Sequence, residues 1–344
     1  MESGHPDKVA DAIADALVDA HLSADSDARV AVEVLVKGDQ IIVAGEIDAP
    51  VRLDPEPVVR KVVRDLGYTH SDDPFHADTV RITDLLERQS TRPAGDVFRQ
   101  GNRGAGDQSI VYGYATDETP ERLPAALVTA HRLVRELEGL RKAGTLPLLR
   151  PDAKSLVRGD WALLSFRLSP DATAADWDEA KDRVRDHLGL PALVLNPGGP
   201  FVEGGPAADA GVTGRKLMVD SYGGLARHGG GGFSGKDPTK VDRSAAYFAR
   251  WVARSIVDRG LAPKAEVRIA YAIGQEQPVA FDVTTLGTGD QLAAEAYLLH
   301  FDARPEALIE RLGLRVPIYR ETTAYGHFGK PHLPWENTHN SPSF

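Results

Sequence analysis

Residues 227–243 read Arg-His-Gly-Gly-Gly-Gly-Phe-Ser-Gly-Lys-Asp-Pro-Thr-Lys-Val-Asp-Arg, the strongest chemical signal in the sequence. Glycines let backbone N–H groups crowd around an anion, and a following helix start adds positive potential. Lys236 and Lys240 flank that helix start, close in space if the helix begins near Asp237. Asp242 offers a hard carboxylate that could bring Mg²⁺ to the same phosphates. Gly230, Gly235 and Lys236 satisfy G-x-x-x-x-G-K, but Asp237 follows where a P-loop carries Ser or Thr. The segment is a phosphate cradle without being a P-loop; a flexible glycine linker with surface lysines is the plain alternative.

Other groups point the same way. Gly4-His5-Pro6-Asp7-Lys8 opens the first helix with an imidazole, a hard oxygen ligand and a point charge, although an aspartate in a first helical turn is often only a dipole partner. If a hairpin turns about Gly38-Asp39, Glu33 faces Ala44 and Glu46 faces Ala31, so both carboxylates share one sheet face. Carboxylates embedded in apolar sequence call for a metal cation or a substrate amine, unless the hairpin simply faces solvent. Asp152-x-Lys154 and Arg215-Lys216 are further basic sites, the second suited to clamping a polyphosphate. Together these residues describe a Mg²⁺-nucleotide enzyme that grips a polyphosphate with many cations.

The elements that must position them are mixed. Residues 6–22 read as a helix, with Val9, Ile13, Ala16, Leu17 and Ala20 on one stripe and Asp11, Asp15 and Asp19 on the other face. Residues 29–36 and 40–47 form a hairpin, 56–66 a helix, and 78–88 a further helix candidate. Residues 89–108 are polar, Gly-rich and aperiodic, a long loop. Then come a strand at 109–115, a helix at 124–142, a turn over 143–153, a strand at 161–168 and a helix at 174–188. Residues 216–220 read as a strand and 238–259 as a helix; strands at 265–273 and 279–285 and a helix at 289–299 complete the body. The tail beyond 329 is polar and Pro-bearing and is expected to pack loosely. The fold class is therefore α/β, with mixed or antiparallel sheets in two or three domains.

Composition limits the partners. The 344 residues carry 50 acidic and 40 basic side chains for a net charge of −10, so no global field draws nucleic acid. There is no apolar run long enough for a membrane span and no signal-peptide pattern. With no cysteine, the chain can form neither disulfides nor thiolate metal sites, in keeping with a cytoplasmic location.

At these residues the sequence resembles methionine adenosyltransferases (S-adenosylmethionine synthetases). The match runs in order through GHPDK (4–8), VAGEI (43–47), GYTHSD (67–72), GAGDQ (104–108), GTLPLLRPDAKS (144–155), GVTGRKLMVDSYGG (211–224), ARHGGGGFSGKDPTKVDRSAAY (226–247), YAIG (271–274), ETTAYGHFG (321–329) and PWE (334–336). The resemblance implies three similar α/β domains in a pseudo-threefold arrangement, at 1–91, 104–203 and 204–341, with 89–103 as a mobile active-site loop. It implies that methionine sulfur displaces triphosphate from C5′ of ATP, and that triphosphate is then hydrolysed to pyrophosphate and phosphate.

Residue by residue, His5 matches the histidine beside the departing oxygen, and Lys154, Arg215, Lys216, Lys236 and Lys240 the polyphosphate cations. Asp7 and Asp242 match ligands of Mg²⁺, two ions per site, while Glu33 and Ser234 match a K⁺ site. Glu46, Gln89, Asp107, Asp209 and Lys240 match methionine-side positions; Asp152, Phe201 and Ile273 match the surroundings of the adenosine and methionyl groups. A homodimer or dimer of dimers, with the site between two subunits, is also implied. The chain departs from the family pattern in several places. Thr91-Arg92-Pro93 replaces Pro-Asp-Ile in the mobile loop, Pro200 replaces an arginine, the stretch between Lys154 and Asn196 is short, and the usual strand before GHPDK is missing. Two alternatives therefore stand beside L-methionine as acceptor: a related thioether, or a non-catalytic nucleotide-binding subunit.

Overall fold

The computed structural model describes residues 1–88 and 104–342. Its elements run α1 (Pro6–Ala24), β1 (Arg29–Lys37), β2 (Gln40–Asp48), α2 (Pro55–Asp65), β3 (Arg81–Arg88), β4 (Ser109–Thr116), α3 (Ala125–Lys142), β5 (Leu149–Arg158), β6 (Trp161–Leu168) and α4 (Ala174–Leu188). They continue with β7 (Ala192–Leu195), α5 (Gly205–Ala208), β8 (Gly211–Val212), α6 (Leu217–Asp220), α7 (Val241–Asp258), β9 (Lys264–Tyr271), β10 (Ala280–Thr284), α8 (Gln291–Leu298) and α9 (Pro305–Leu312).

Alternation builds the first sheet, ordered β3-β2-β1-β8. Val30, Val32, Val34 and Val36 point inward against Val9, Ile13 and Leu17 of α1, leaving Ala31, Glu33 and Leu35 on the outer face. The β1–β2 register sets Glu33 opposite Ala44 and Glu46 opposite Ala31, as the hairpin turn required. Residues 81–88 are not a helix but a strand parallel to β2. Ile82, Leu85 and Leu86 have helix-like spacing, but the strand lies at the sheet edge, where only Leu86 is buried and polarity does not alternate.

The second sheet, β10-β9-β4, is covered by α7. Gly113 of β4 lies so close to the Ala249 backbone that no Cβ would fit. The third sheet, β5-β6-β7, carries its own core of Leu133, Leu137, Leu164, Phe166, Trp177 and Val184 beneath α3 and α4. Sheet membership does not follow chain order, because β4 pairs with β9 and β8 pairs with β1. The first two sheets consequently share one continuous core.

Three further expectations are corrected. Residues 149–158 form a strand where a turn was expected over 143–153; the register slips between Arg150 and Ala153, and Asp152 takes φ 97°. That bulge hides the strand behind Pro151 and polar residues. Residues 217–220 form a helical turn, not a strand, because Lys216 and Asp220 both reach the start of α1, as a four-residue helical spacing allows. The tail is also well packed. Trp335 stacks on Tyr247 with centroids 3.7 Å apart, and Glu336 accepts two hydrogen bonds from the buried Arg250, at 3.1 and 2.8 Å.

His327 lies in this aromatic core, its Nδ1 2.7 Å from the Tyr247 hydroxyl. Burial, together with the Arg243 and Lys8 charges, holds its pKa well below 6.5. The unfolded chain takes up a proton there at about 6.5, so folding stability falls as pH drops through that value. From pH 7.5 to 5.5 this one group removes about 1.4 kcal/mol of unfolding free energy. Urea unfolding at both pH values should show that His327→Gln reduces the pH dependence by that amount; an unchanged dependence contradicts it.

Candidate active site

The polar stripe of α1 faces protein, not water. Asp7, Asp11 and Asp15 are buried, Asp19 is partly so, and each accepts N–H groups from a loop distant in sequence. Val212 N–H donates to Asp7 at 3.0 Å, Gly214 N–H to Asp11 at 2.8 Å and Gly235 N–H to Asp15 at 2.8 Å. Tyr319 and Arg320 N–H donate to Asp19 at 2.9 and 2.7 Å. Cations complete the set. Lys216 and Arg215 pair with Asp7, the buried Lys8 joins Asp11 and Asp220, and Arg243 grips Asp15 with two bonds of 2.6 Å. One helix thus gathers the loops at 211–216, 235 and 319–320.

His5 caps this helix, its Nδ1 accepting the Asp7 N–H at 3.2 Å. The ring is buried, and burial together with the nearby Lys154 lowers its pKa to about 3. It is therefore neutral near pH 7, with its proton on Nε2, able to donate a hydrogen bond. Burial would raise the Asp7 carboxyl, but the Lys216 hydrogen bond, the Val212 amide and Arg215 hold it below the usual range. Asp152 follows on β5, its carboxyl raised by burial; Oδ2 accepts Gly205 N–H at 2.9 Å while Oδ1 has no partner. Lys154 is exposed, Phe201 half-buried, and Asp209 lies just after α5, near enough to Asp152 to act on its charge.

The glycine segment lies against β1. Val32 N–H donates to Gly235 O at 2.8 Å, and Asp237 N–H to Val30 O at 3.0 Å. Asp237 is buried, accepting Val30 N–H at 2.6 Å and Thr239 N–H at 2.8 Å and pairing with Lys240. Its role where a P-loop has Ser or Thr is thus to pin the loop to the sheet. The helix begins at Val241, not near 237, so Lys236 and Lys240 both precede it. Lys236 donates to Asp242 Oδ2 at 2.7 Å, and Ser109 Oγ donates to Oδ1 at 2.6 Å. A Cβ at Gly231 would strike the Asp242 carboxylate. Ser234 Oγ is buried without a partner. Glu33 is exposed in the single chain, yet desolvation of its carboxyl raises its pKa, offset in part by Lys236.

The structure therefore brings together His5, Asp7, Asp152, Lys154, Arg215 and Lys216, and forms a second group in which Lys236 pairs with Asp242 and acts on Glu33. Glu46 is exposed on the outer face of the first sheet. Asp107 and Ile273 are exposed near the second sheet, where Ala105 and Gly274–Gln275 exchange backbone hydrogen bonds of 2.9 and 2.8 Å. Gln89 and the divergent segment 91–93 lie outside the described residues. Asp11, Asp15, Asp220 and Arg243 are the supports that sequence reading passed over. The four-residue recurrence of aspartate from Asp7 to Asp19 was the signal available.

Comparison with known proteins identifies the family. The sequence matches the family models for S-adenosylmethionine synthetase: the N-terminal domain over residues 1–91, the central domain over 102–165 and the C-terminal domain over 203–337. It is 47% identical over 363 residues to the S-adenosylmethionine synthase of Akkermansia muciniphila, covering 97% of this chain and 92% of that protein. The chain belongs to the S-adenosylmethionine synthetase family.

Proposed function

We propose that this chain is a methionine adenosyltransferase, joining ATP to L-methionine with expulsion of triphosphate, which it then hydrolyses to pyrophosphate and phosphate. The observation that carries this is a buried His5, its Nδ1 taken by the Asp7 N–H, beside Arg215 and Lys216 already paired with the Asp7 carboxylate. As the C5′–O bond breaks, negative charge gathers on the triphosphate, and donors fixed beforehand stabilise it without reorganising. Lys154, Arg215, Lys216, Lys236 and Lys240 would bind the polyphosphate, and His5 would donate from Nε2 to the departing oxygen. Asp152 and Phe201 would hold adenosine, Asp152 through its unpaired Oδ1. Glu46, Gln89, Asp107, Asp209, Lys240 and Ile273 would receive methionine.

The donor set fits the metals the family requires. Among the described residues no cluster of three or more His, Cys, Asp or Glu could cage an ion. Mg²⁺ characteristically binds through one or two carboxylates plus substrate phosphates, so Asp7 and Asp242, each already paired with a cation, would suit two such ions. When bound, Mg²⁺ would neutralise phosphate charge. K⁺ would be held by Glu33 and Ser234, whose hydroxyl is otherwise orphaned in the interior.

Self-association belongs to the same reading. The outer face of the first sheet presents Leu35 and Leu85 around Glu33 and Glu46, unlike an ordinary solvated face, and a second copy of the chain would cover it. The methionine-side residues would then complete the partner's site, in a homodimer or dimer of dimers. The domain division 1–91, 104–203 and 204–341, with 89–103 as the active-site loop, and a cytoplasmic location complete the proposal. Among the described residues no helix is long and apolar enough to cross a membrane.

Purified chain with ATP, L-methionine, Mg²⁺ and K⁺ should yield S-adenosylmethionine, pyrophosphate and phosphate by mass spectrometry; absence of all three contradicts the proposal. In the same assay a thioether panel should give a lower kcat/KM than methionine. Lys236→Met should lower kcat by at least about 100-fold, as for loss of one charged donor to a transition state, with the oligomer unchanged in sedimentation. Near-normal kcat would remove Lys236 from the leaving-group site.

A further inference from the structure

Segment 67–73 carries none of the candidate substrate contacts, yet three segments that do carry them meet on it. Tyr68 is fully buried, and its hydroxyl donates to the carbonyl oxygen of Gly4, one residue before His5. On the α5 side the same hydroxyl lies against Gly205, where an added Cβ would come within 2.5 Å of it. Gly205 in turn gives its N–H to Asp152 Oδ2 at 2.9 Å. Gly4 and the 151–152 backbone are themselves in close contact, since a Cβ on Gly4 would lie 2.5 Å from Pro151 Cβ and 3.1 Å from Asp152 N. The ring is braced edge-on by Phe75, with centroids 5.0 Å apart.

The far end of the segment repeats the pattern. Asp73 Oδ2 accepts from Arg167 Nη1 at 3.0 Å, and Arg167 Nε donates to Val202 O at 2.8 Å. The Phe201 loop is therefore tied to the same short segment as the His5 turn. Through one side chain, Tyr68 thus reaches the backbone before His5 and the 201–205 loop, which is bonded to Asp152.

We propose that Tyr68 is a positioning residue for adenosyl transfer: its hydroxyl fixes the Gly4–His5 peptide against the Asp152 and Gly205 backbone, setting His5 where C5′–O cleavage needs it. This rests on the adenosyl-transfer reading above. Tyr68 acts through other groups and touches no substrate, so its loss should impair alignment and leave polyphosphate binding intact. An in-line displacement is sensitive to misplacement of this kind. Hydrolysis of triphosphate does not require C5′ to be aligned with His5, and the Lys216, Lys236 and Asp242 supports do not involve Tyr68.

The test compares wild-type chain and Tyr68→Phe, each with Mg²⁺ and K⁺, in two reactions: S-adenosylmethionine formation from ATP and methionine, and phosphate release from added tripolyphosphate. Tyr68→Phe keeps the ring and its Phe75 contact and removes only the hydroxyl. Transfer kcat should fall about tenfold, with KM for ATP moving less than about threefold and tripolyphosphate hydrolysis staying within about twofold. Equal losses in both reactions for Tyr68→Phe would mean a merely structural role and overturn the proposal, as would unchanged transfer. If the wild-type chain makes no S-adenosylmethionine, the adenosyl-transfer reading itself fails and the inference falls with it.

Discussion

The stripe from Asp7 to Asp19 along α1 is the interaction on which the rest of the structure depends. Burying a carboxylate without partners costs several kcal/mol, so each of these must meet N–H groups or a cation. The loops that supply those partners, at 211–216, 230–240 and 319–322, are rich in glycine and polar residues and poor in apolar ones. Phe233 and Tyr319 reach the core, but the rest of these loops have little hydrophobic reason to hold one shape. Charged hydrogen bonds, worth about 1.5–3 kcal/mol each, give them one. The demand of the helix and the order of the loops are thus a single requirement.

That requirement would also prepare the proposed chemistry. Lys216, Arg215 and Lys236 are each paired with a carboxylate, so the cations are anchored in a chain whose net charge is acidic. A polyanion entering with hard cations would meet charges already in place, and electrostatic stabilisation is largest where donors need not reorganise. The same burial keeps His5 neutral, so it remains a hydrogen-bond donor where an imidazolium would be costly. The structural uses of these residues and the chemical uses proposed for them are therefore inseparable.

Much of this was legible in the sequence. The hairpin register followed from alternation about Gly38-Asp39, and with it the shared face of Glu33 and Glu46. The glycine segment suggested an anion site by composition, and Asp237 announced that it was not a P-loop. What stayed hidden was set by contacts far apart in sequence. Strand pairing to β2 turned 81–88 from a helix candidate into a strand, and the bulge at Asp152 masked β5. The tail looked loose because its polar residues gave no sign that Arg250 and Tyr247 would bury Glu336 and Trp335. Helix Pro305–Leu312 carried its own signals, Pro305 at the start and Gly313 at the stop, and was passed over. Asp11 and Asp15 stood out only as the face opposite the apolar stripe, because hydropathy cannot distinguish water from a distant N–H.

Amide hydrogen exchange at Gly214 and Gly235, with and without tripolyphosphate, tests the central claim most directly. If Asp11 and Asp15 hold these N–H groups before any ligand arrives, both amides should already be strongly protected in the free protein, and tripolyphosphate should change their exchange by less than about tenfold. Fast exchange in the free chain, with protection appearing only when tripolyphosphate is added, would show that the ligand and not the helix builds the site.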